Sequence, residues 1–476
     1  MSKTTPARLI MSNVWANWVP DPATMADLVD AWVNSSGLNG CGLQIPWRAI
    51  EWKDGEFEWD WLDERLDLIA EAGLRCHLRL ATQNHRPGWV GSELMRDSSG
   101  RIAAGYDWTM LSFADPLTGR YVSRALGEIA KHVQERYADM DPHPVTCILP
   151  QFSGMAETEY WHDMFTDFSE VAQSDFRTWL QGEFESLDEL NACWGSKHGD
   201  WARVALQGAH PWSTQRYRTW RLAALIRQCA DAVHAGGAQM AVQFGSIWDG
   251  LSSFRCTQDT SALIEPVDWI VVDDAPHYDH FMSMDYLRGH ARDKVWGNEV
   301  DGAGCVTYET GLAQAVESLR RGAHFIFAAN WNAKAHRDPA YNFWPQAMEE
   351  AAQPRPEIVP SRAILLSLAT IYHKEPLREI KDLFYDLWLA LTDGGGKPVD
   401  IITDTVLLLH PDWIDQYSDG LFIPASQRWM ARSLFEALER SPVPVYAEGD
   451  SVGSLDEYGR GRPAGRLPWS AVPADI

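Results

Sequence analysis

The sequence has no run of about 18 apolar residues, the length that a membrane-spanning helix requires, so we expect no transmembrane segment. The N-terminal segment MSKTTPARLIMSNVW lacks the long apolar stretch and small-residue cleavage site of a standard secretion signal. Hydrophobic residues make up 45% of the 476 positions and charged residues 22%, as in ordinary globular proteins with a sizeable core. We therefore expect a cytoplasmic protein of more than one domain.

Paired cysteines are also missing. The seven cysteines are scattered singly, and no Cys-x-x-Cys pair occurs in the chain. Such a set is typical of reduced thiols in the cytosol, several of them buried as small apolar side chains. The ligand spacing of a structural zinc site is absent, so we expect no metal and no other cofactor.

Basic residues are scarce relative to acidic ones. The chain has 41 Lys and Arg against 66 Asp and Glu, which gives a formal net charge of −25. Nucleic acids and anionic membranes bind clustered positive charge, so neither is expected as a partner. The simplest consequence of the charge is solubility.

Tryptophan, in contrast, is abundant, with 24 residues. An indole ring can stack on the apolar face of a sugar while its N–H bonds a hydroxyl, although it can equally fill a core. Six tryptophans lie at or just after predicted strand ends, where core packing finishes: Trp15, Trp18, Trp47, Trp161, Trp248 and Trp331. We expect some of them to line a sugar pocket.

Strand-like and helix-like segments alternate over residues 1–352. The predicted strands are Leu9–Val14, Cys41–Pro46, Arg75–Ala81, Val145–Phe152, Gln239–Phe244, Val267–Val272, Lys294–Gly297 and Ala323–Ala328. Helix-like segments separate them, of which Trp61–Ala72 is a clear example, and a long insertion follows the fourth strand. Eight such units predict an α/β fold of the (β/α)8 or TIM-barrel type, with a doubly wound open sheet as the alternative.

The segment QPRPEIVP, residues 353–360, is a proline-punctuated linker and predicts a domain boundary. Beyond it, strand-like segments at Ala363–Leu368, Val399–Thr403, Leu421–Ile423 and Val443–Tyr446 alternate with helix-like ones. This pattern predicts a small flavodoxin-like, three-layer α/β domain over residues 361–476.

Two glutamates follow apolar strands of the predicted barrel. Glu157 follows the fourth strand and Glu299 the seventh. The carboxyl ends of barrel strands carry the chemistry of such folds, and a pair of carboxylates is what glycoside hydrolysis requires. Glu159 is an alternative to Glu157, but on an extended loop it would point to the opposite side. Asn298 is a potential donor that could orient Glu299.

Other side chains at predicted strand ends could bind sugar hydroxyls. The candidates are Asn17, Gln44, Arg48, Gln83, Asn84, His85, Asp249, Asp273, Asp274, His277, Asn330 and Asn332, with Tyr160 and Trp161 as possible pocket walls. Any one of them could instead be an ordinary loop residue. His85 and His277 show no metal-binding spacing, so we interpret them as substrate contacts.

In two stretches the chain resembles the family 42 glycoside hydrolases, which are β-galactosidase-like barrels. One is Pro46-Trp47 with Glu51–Asp63 (EWKDGEFEWDWLD), and the other is Phe176–Trp194 (FRTWLQGEFESLDELNACW). The resemblance implies that Glu157 is the acid/base, Glu299 the nucleophile, and Trp331 a platform beneath the sugar. It also implies that the second domain takes part in a homo-oligomer.

The chain departs from that family in two respects. Ala156 stands where the family has an asparagine before its acid/base, and the family's cysteine zinc cluster is missing. The segment GMAETEY, residues 154–160, is also similar to the acid-bearing segment of the β-amylases, which are inverting and carry a second Glu after strand seven.

These features together predict a cytoplasmic, exo-acting glycosidase that acts on an oligosaccharide or small glycoside with retention. An inverting glycosidase of β-amylase type and a non-catalytic carbohydrate-binding barrel are the main alternatives. A third is a lyase or isomerase barrel that uses Asp273, Asp274 and Glu299 around a divalent ion.

Overall fold

The computed structural model describes residues 8–105, 108–154, 157–273, 280–300, 307–328, 333–374, 378–462 and 469–473. Within these ranges the first part of the chain forms a ring of eight parallel strands, labelled β1 to β8. They are Leu9–Val14, Gly40–Pro46, Arg75–Ala81, Val145–Gln151, Ala241–Phe244, Trp269–Asp273, Val295–Val300 and Phe325–Ala328.

The strands pair in the order β4-β3-β2-β1-β8-β7-β6-β5, so β1 lies beside β8. A parallel bridge between Ile148 and Met240 joins β4 to β5 and nearly closes the ring. The predicted TIM barrel is therefore confirmed, and the open-sheet alternative is wrong.

Helices surround the barrel within the described ranges. They are α1 Pro22–Asp30, α2 Asp60–Glu71, α3 Pro116–Arg136, α4 Glu170–Glu183, α5 Leu187–Trp194, α6 Pro211–Ala235, α7 Thr260–Ile264, α8 His280–His290, α9 Tyr308–Arg320, α10 Ala333–Arg337 and α11 Trp344–Ala351. Shorter turns of helix are Ala16–Trp18, Ala31–Ser36, Trp47–Ile50, Trp201–Arg203 and Ser252–Arg255, and Glu51–Lys53 pairs with Glu56–Phe57 in a hairpin.

Local sequence explains where these helices begin. Helix α3, for example, starts after Asp115, whose side chain accepts the Leu117 N–H at 2.9 Å, and it has Pro116 in its first turn. Both features favour a helix start. The buried side of α3 includes Val122, Leu126 and Ile129, which pack into the core between strands and helices.

The side chains in the barrel interior change from apolar to polar along the barrel axis. Met11, Val271, Phe325 and Phe327 form a separate apolar cluster inside the strands, and His77 packs edge-on or stacked against the two phenylalanines. Because side chains on a strand alternate between its two faces, the residue two positions further along points to the same interior. For Met11, His77 and Val271 these next residues are Asn13, Arg79 and Asp273, which are polar and form the upper layer in which the candidate site lies.

A second parallel sheet follows, in the order β10-β9-β11-β12-β13. Its strands are β9 Arg362–Leu366, β10 Asp400–Thr403, β11 Gly420–Ile423, β12 Val445–Ala447 and β13 Ser470–Ala471. Its helices are α12 Leu368–His373, α13 Tyr385–Leu391, α14 Asp404–Leu409 and α15 Arg432–Leu438, with short turns at Lys381–Leu383 and Pro411–Gln416. This strand order is that of flavodoxin-like sheets.

The second sheet packs on helix α8 of the barrel through a buried ionic network. Asp400 on β10 accepts hydrogen bonds from Arg288 Nε at 2.7 Å and from Tyr417 Oη at 2.8 Å. Arg288 also donates to Asp285 Oδ1 at 2.8 Å. Trp248 of the barrel shares a core with this sheet. The predicted domain limits remain a proposal.

In the described ranges, no helix combines the length and the apolar character needed to cross a bilayer.

Candidate active site

Glu299 lies on strand β7 itself and points into the upper, polar layer of the barrel. The prediction ended this strand at Gly297 and placed Glu299 just beyond it, but the strand continues to Val300. Asn13 Nδ2 donates to Glu299 Oε1 at 3.0 Å, and Gln243 Nε2 donates to Glu299 Oε2. Both carboxylate oxygens therefore accept amide donors in a site where Glu299 is 7% exposed.

Arg79 on β3 is buried beside this pair, and sequence reasoning missed it together with Asn13 and Gln243. Its guanidinium donates to Gln243 Oε1 and lies 5.3 Å from the centre of the Phe327 ring. Burial raises the pKa of Glu299, whereas the positive charge of Arg79 lowers it. The charge of Glu157 raises the pKa of Glu299 further, so the two candidate carboxylates influence each other.

Glu157 is held at the end of a loop that folds back on strand β4. The backbone N–H groups of Phe152 and Ser153 both donate to the Glu157 carbonyl, at 2.8 and 2.9 Å. Ser153 Oγ donates to Glu157 Oε2 at 2.5 Å and accepts the Glu157 N–H at 3.1 Å. Beyond the loop, the Thr158 N–H donates to the carbonyl of Gln243 on β5 at 2.7 Å, which fixes Glu157 beside the barrel mouth.

Glu159 is fully buried and serves a different set of contacts. Its Oε2 accepts the Gly245 N–H at 2.9 Å, and its Oε1 lies 3.2 Å from Arg255 Nε. Arg255 in turn donates to Asp249 Oδ2 at 2.7 Å. Burial raises the pKa of Glu159, and the charge of Arg255 opposes that shift. These contacts tie Glu159 into a structural ion pair, which favours Glu157 as the reactive group.

Four residues predicted to contact substrate are packed in the interior instead. Trp47 is fully buried and donates to Glu51 Oε2 at 2.7 Å. Tyr160 is 1% exposed and packs against Phe113. Trp248, also 1% exposed, donates to Ser283 Oγ at 2.7 Å in the core of the second sheet.

Asn298 is the fourth predicted contact that is packed in the interior. It alternates with Glu299 on the strand and therefore faces the helices, where its Nδ2 donates to Ser318 Oγ at 3.0 Å. Since Asn13 and Gln243 orient Glu299, the prediction for Asn298 is wrong.

The remaining predicted contacts are half-buried. Asp273 pairs in register with Glu299 on the neighbouring strand and contributes to the electrostatic environment of Arg79. Asn84 lines a cavity of about 420 Å³ together with Gln83 and Arg48. Trp15 and His85 are half-buried near strand ends. Trp331 and His277 lie outside the described residues, as do Ala156, Asp274, Asn330 and Asn332.

Trp161 forms an aromatic pair that the sequence did not indicate. Its ring centre lies 4.6 Å from that of Trp108, which also lines the cavity with Asn84. Trp108 sits directly against Gly154 of the Glu157 loop, where an added Cβ would come within 2.2 Å of Cζ2 of the indole. The glycine therefore admits the ring beside the candidate acid.

Sequence comparison gives two findings. The β-galactosidase model of glycoside hydrolase family 42 matches residues 32–207, a stretch that includes Glu157 and ends before Glu299. A β-galactosidase from an Arthrobacter species is 24% identical over 290 residues, which are 56% of this chain and 39% of that protein. The matches span from 22% to 39% of the length of the curated relatives compared.

Structure comparison extends the likeness over nearly the whole chain. A β-galactosidase from Halorubrum lacusprofundi superposes with a TM-score of 0.73 at 18% identity, covering 96% of this chain and 74% of that one. The catalytic domain of a β-amylase from Paenibacillus polymyxa gives a TM-score of 0.60 at 14% identity, covering 74% of this chain. Both likenesses concern the fold. Through the family model over residues 32–207 and its β-galactosidase relatives, the chain is similar to glycoside hydrolase family 42.

Proposed function

We propose that this protein hydrolyses O-glycosyl bonds of a β-galactoside-like oligosaccharide or small glycoside, releasing the terminal sugar with retention of configuration. The observation that carries the proposal is the placement of Glu299, which accepts two amide donors at the carboxyl end of the barrel and is electrostatically coupled to Glu157. The family relationship supports the same reaction class.

In the first step, Glu299 attacks the anomeric carbon and forms a glycosyl ester, while Glu157 gives its proton to the glycosidic oxygen as that bond breaks. In the second step, Glu157 takes a proton from water, whose oxygen attacks the anomeric carbon and releases Glu299 as a carboxylate. Asn13, Gln243 and Arg79 favour the ionised form of Glu299 that the attack needs.

Substrate contacts are proposed for the half-buried side chains around this pair. Asp273 and Asn84 are suited to bind hydroxyl groups, and Trp161, paired with Trp108, offers an aromatic surface beside the Glu157 loop. Trp15, His85, His277 and Trp331 complete the proposed set. We also propose a cytoplasmic location, a homo-oligomer, and the two-domain division at residues 353–360.

The test is hydrolysis of a panel of aryl α- and β-glycosides by the wild type, Glu299→Gln and Glu357→Gln. Glu357 is exposed, so its substitution makes the same chemical change away from the barrel. We expect release by the wild type and Glu357→Gln but not by Glu299→Gln. Equal rates in all three would remove Glu299 from the mechanism.

Proton NMR of the first-formed sugar separates this reaction from the β-amylase type. A retaining enzyme releases the same anomer as its substrate, and an inverting one releases the opposite anomer. If the wild type binds sugars without hydrolysing any glycoside in the panel or any natural galacto-oligosaccharide, the protein is a binding barrel instead.

A further inference from the structure

A second concave site lies away from the barrel mouth, where helix α6 meets the carboxyl ends of β9 and β10. It is a cavity of about 470 Å³, a size within the range of small-molecule sites. In the second sheet the strand order reverses between β9 and β11, because β9 connects to β10 on one side and β10 connects back across β9 to β11 on the other. Ala431 and Ser433, which follow β11, also line the cavity. Doubly wound sheets bind ligands in the crevice outside the carboxyl ends of strands at such a switch point.

Asp404, the first residue after β10, lines this cavity with an unused polar atom. The side chain is 3% exposed, and its Oδ1 accepts the Leu368 N–H at 2.8 Å. Its Oδ2 is buried and has no hydrogen-bond partner among the described residues. A buried oxygen without a partner is costly, and a ligand hydroxyl in the cavity would satisfy it.

Two further carboxylates, Asp259 and Glu457, lie in the same lining. The one lining cation, Arg216, is engaged elsewhere, because its Nη1 lies 2.5 Å from Glu183 Oε2. Asp259 and Glu457 each accept one backbone N–H, from Ala262 and Arg432. The carboxylates of the lining still outnumber its cations, which suits a ligand with donor groups. Burial, together with the charges of Asp259 and Glu457, raises the pKa of Asp404 to about 7. A carboxyl group that is partly protonated near neutral pH suits a neutral hydroxyl better than a cation.

Aromatic side chains form the rest of the wall. Trp220 on helix α6 is 43% exposed, which is unusual for so large an apolar group, and Tyr458 and Tyr372 line the cavity beside it. Exposed aromatic faces next to carboxylates are the combination that binds a sugar, because the ring packs on its C–H face and the carboxylates accept its hydroxyls.

We propose that this crevice is an ancillary binding site for a neutral mono- or disaccharide, separate from the barrel mouth. The inference goes beyond the proposed function and does not depend on it. It assigns a ligand role to the second part of the chain, where Leu368 and Asp404 begin the helices α12 and α14 that follow β9 and β10, whereas helix α6 of the barrel contributes Trp220.

The experiment is hydroxyl-radical footprinting of the full chain carrying Glu299→Gln, with D-galactose, D-glucose or lactose as the probe. We expect at least one sugar to protect Trp220 from oxidation. Trp52 is 54% exposed in the hairpin after β2 and serves as an internal control that no sugar should protect. Asp404→Asn, which keeps one oxygen acceptor, should weaken the protection about tenfold or more.

Calorimetric stoichiometry gives a second readout that does not rely on Asp404. Trp220→Ser, at a half-exposed position, should bind one fewer sugar per chain than its parent, while hydrolysis by an otherwise wild-type chain with this substitution stays unchanged. If the protein hydrolyses no glycoside, the difference in sugar stoichiometry between Trp220→Ser and its parent should still be observed. The proposal is overturned if no sugar protects Trp220, if the stoichiometry is unaltered, or if a simple amine such as ethanolamine protects Trp220 and the sugars do not.

Discussion

Asn13 Nδ2 and Glu299 Oε1 are joined by a 3.0 Å hydrogen bond between the first and the seventh barrel strand, 286 residues apart in sequence. The bond fixes one oxygen of the proposed nucleophile, and Gln243 holds the other. The carboxylate is thereby oriented by rigid strands rather than by a loop, which is the arrangement that precise nucleophilic attack requires.

Replacement of the proposed acid, Glu157→Gln, should affect substrates according to their leaving groups. We expect kcat/KM to fall by about 10² to 10⁴ for a disaccharide, because general acid catalysis contributes about that factor. A dinitrophenyl glycoside needs little protonation of its leaving group, so its glycosylation step should fall far less. Equal losses for both substrates would contradict the assignment.

Glu159→Gln should instead act on stability. The substitution leaves Arg255 buried with Asp249 as its remaining ionic partner, and removing one member of a buried ion pair costs about 3 to 5 kcal/mol. Urea unfolding followed by circular dichroism measures this change. If Glu159→Gln abolishes activity at full stability while Glu157→Gln remains active, the roles of the two glutamates must be exchanged.

Arg79→Met should move the acidic limb of the pH profile to higher pH. Glu299 must be ionised to attack, so activity falls as the pH drops through the pKa of that group. The charge of Arg79 lowers this pKa, and its removal raises it. The profile of kcat/KM against pH checks the shift, and Arg79→Lys, which keeps the charge, should shift the limb less. A shift to lower pH would show that Arg79 does not stabilise the carboxylate.

Asp404 should make the folded state less stable as the pH rises. Its pKa is raised from the ordinary value of 3.8 to about 7, so between these values the folded chain holds a proton that the unfolded chain has lost. By linkage, the stability from this group is fully present below about pH 4 and is lost as the pH approaches 7. Urea unfolding across this window should therefore have a less negative pH slope in Asp404→Asn. An unchanged slope would refute the shift.

Asp400→Asn should weaken the attachment of the second sheet to helix α8. Asp400 is fully buried and compensates the charge of Arg288 at 2.7 Å and of Arg292 at 3.2 Å. Loss of its charge leaves the buried Arg288 and the half-buried Arg292 short of counter-charge, at a cost of about 3 to 5 kcal/mol. Hydrogen exchange should rise in both α8 and β10. Asp419→Asn, at an exposed position just before β11, is the control, and equal effects of the two substitutions would contradict the network's role.

The barrel could be predicted from the sequence because parallel strands buried on both faces leave short apolar runs separated by helix-like segments. The exact residues at which the strands end could not be predicted as well. Gly297 looked like a strand end, yet it is needed within β7, since an added Cβ would come within 2.4 Å of the Phe325 carbonyl oxygen. Because the sequence predicts that the strand ends at Gly297, it places Glu299 just beyond the strand, with Asn298 as its neighbouring donor.

The residues around Glu299 carried a signal that was not used. Asn13, Arg79 and Gln243 are polar residues near the carboxyl ends of largely apolar strands, at positions that alternate with outward-facing ones. Tryptophan position was less informative. Trp47 and Trp248 follow strand ends, as Trp15 does, but only the structure distinguishes a ring turned into the core from one at the surface.

Gln243 links the two carboxylates of the proposed reaction. Its side chain holds Glu299, and its backbone carbonyl accepts the N–H of Thr158, the residue next to Glu157. Gln243 therefore contacts Glu299 directly and positions Glu157 through the neighbouring Thr158, so one residue helps to set the distance between the two carboxylates. A displacement of β5 would carry the two groups together, so the gap in which the glycosidic bond must fit is kept even when the barrel wall moves.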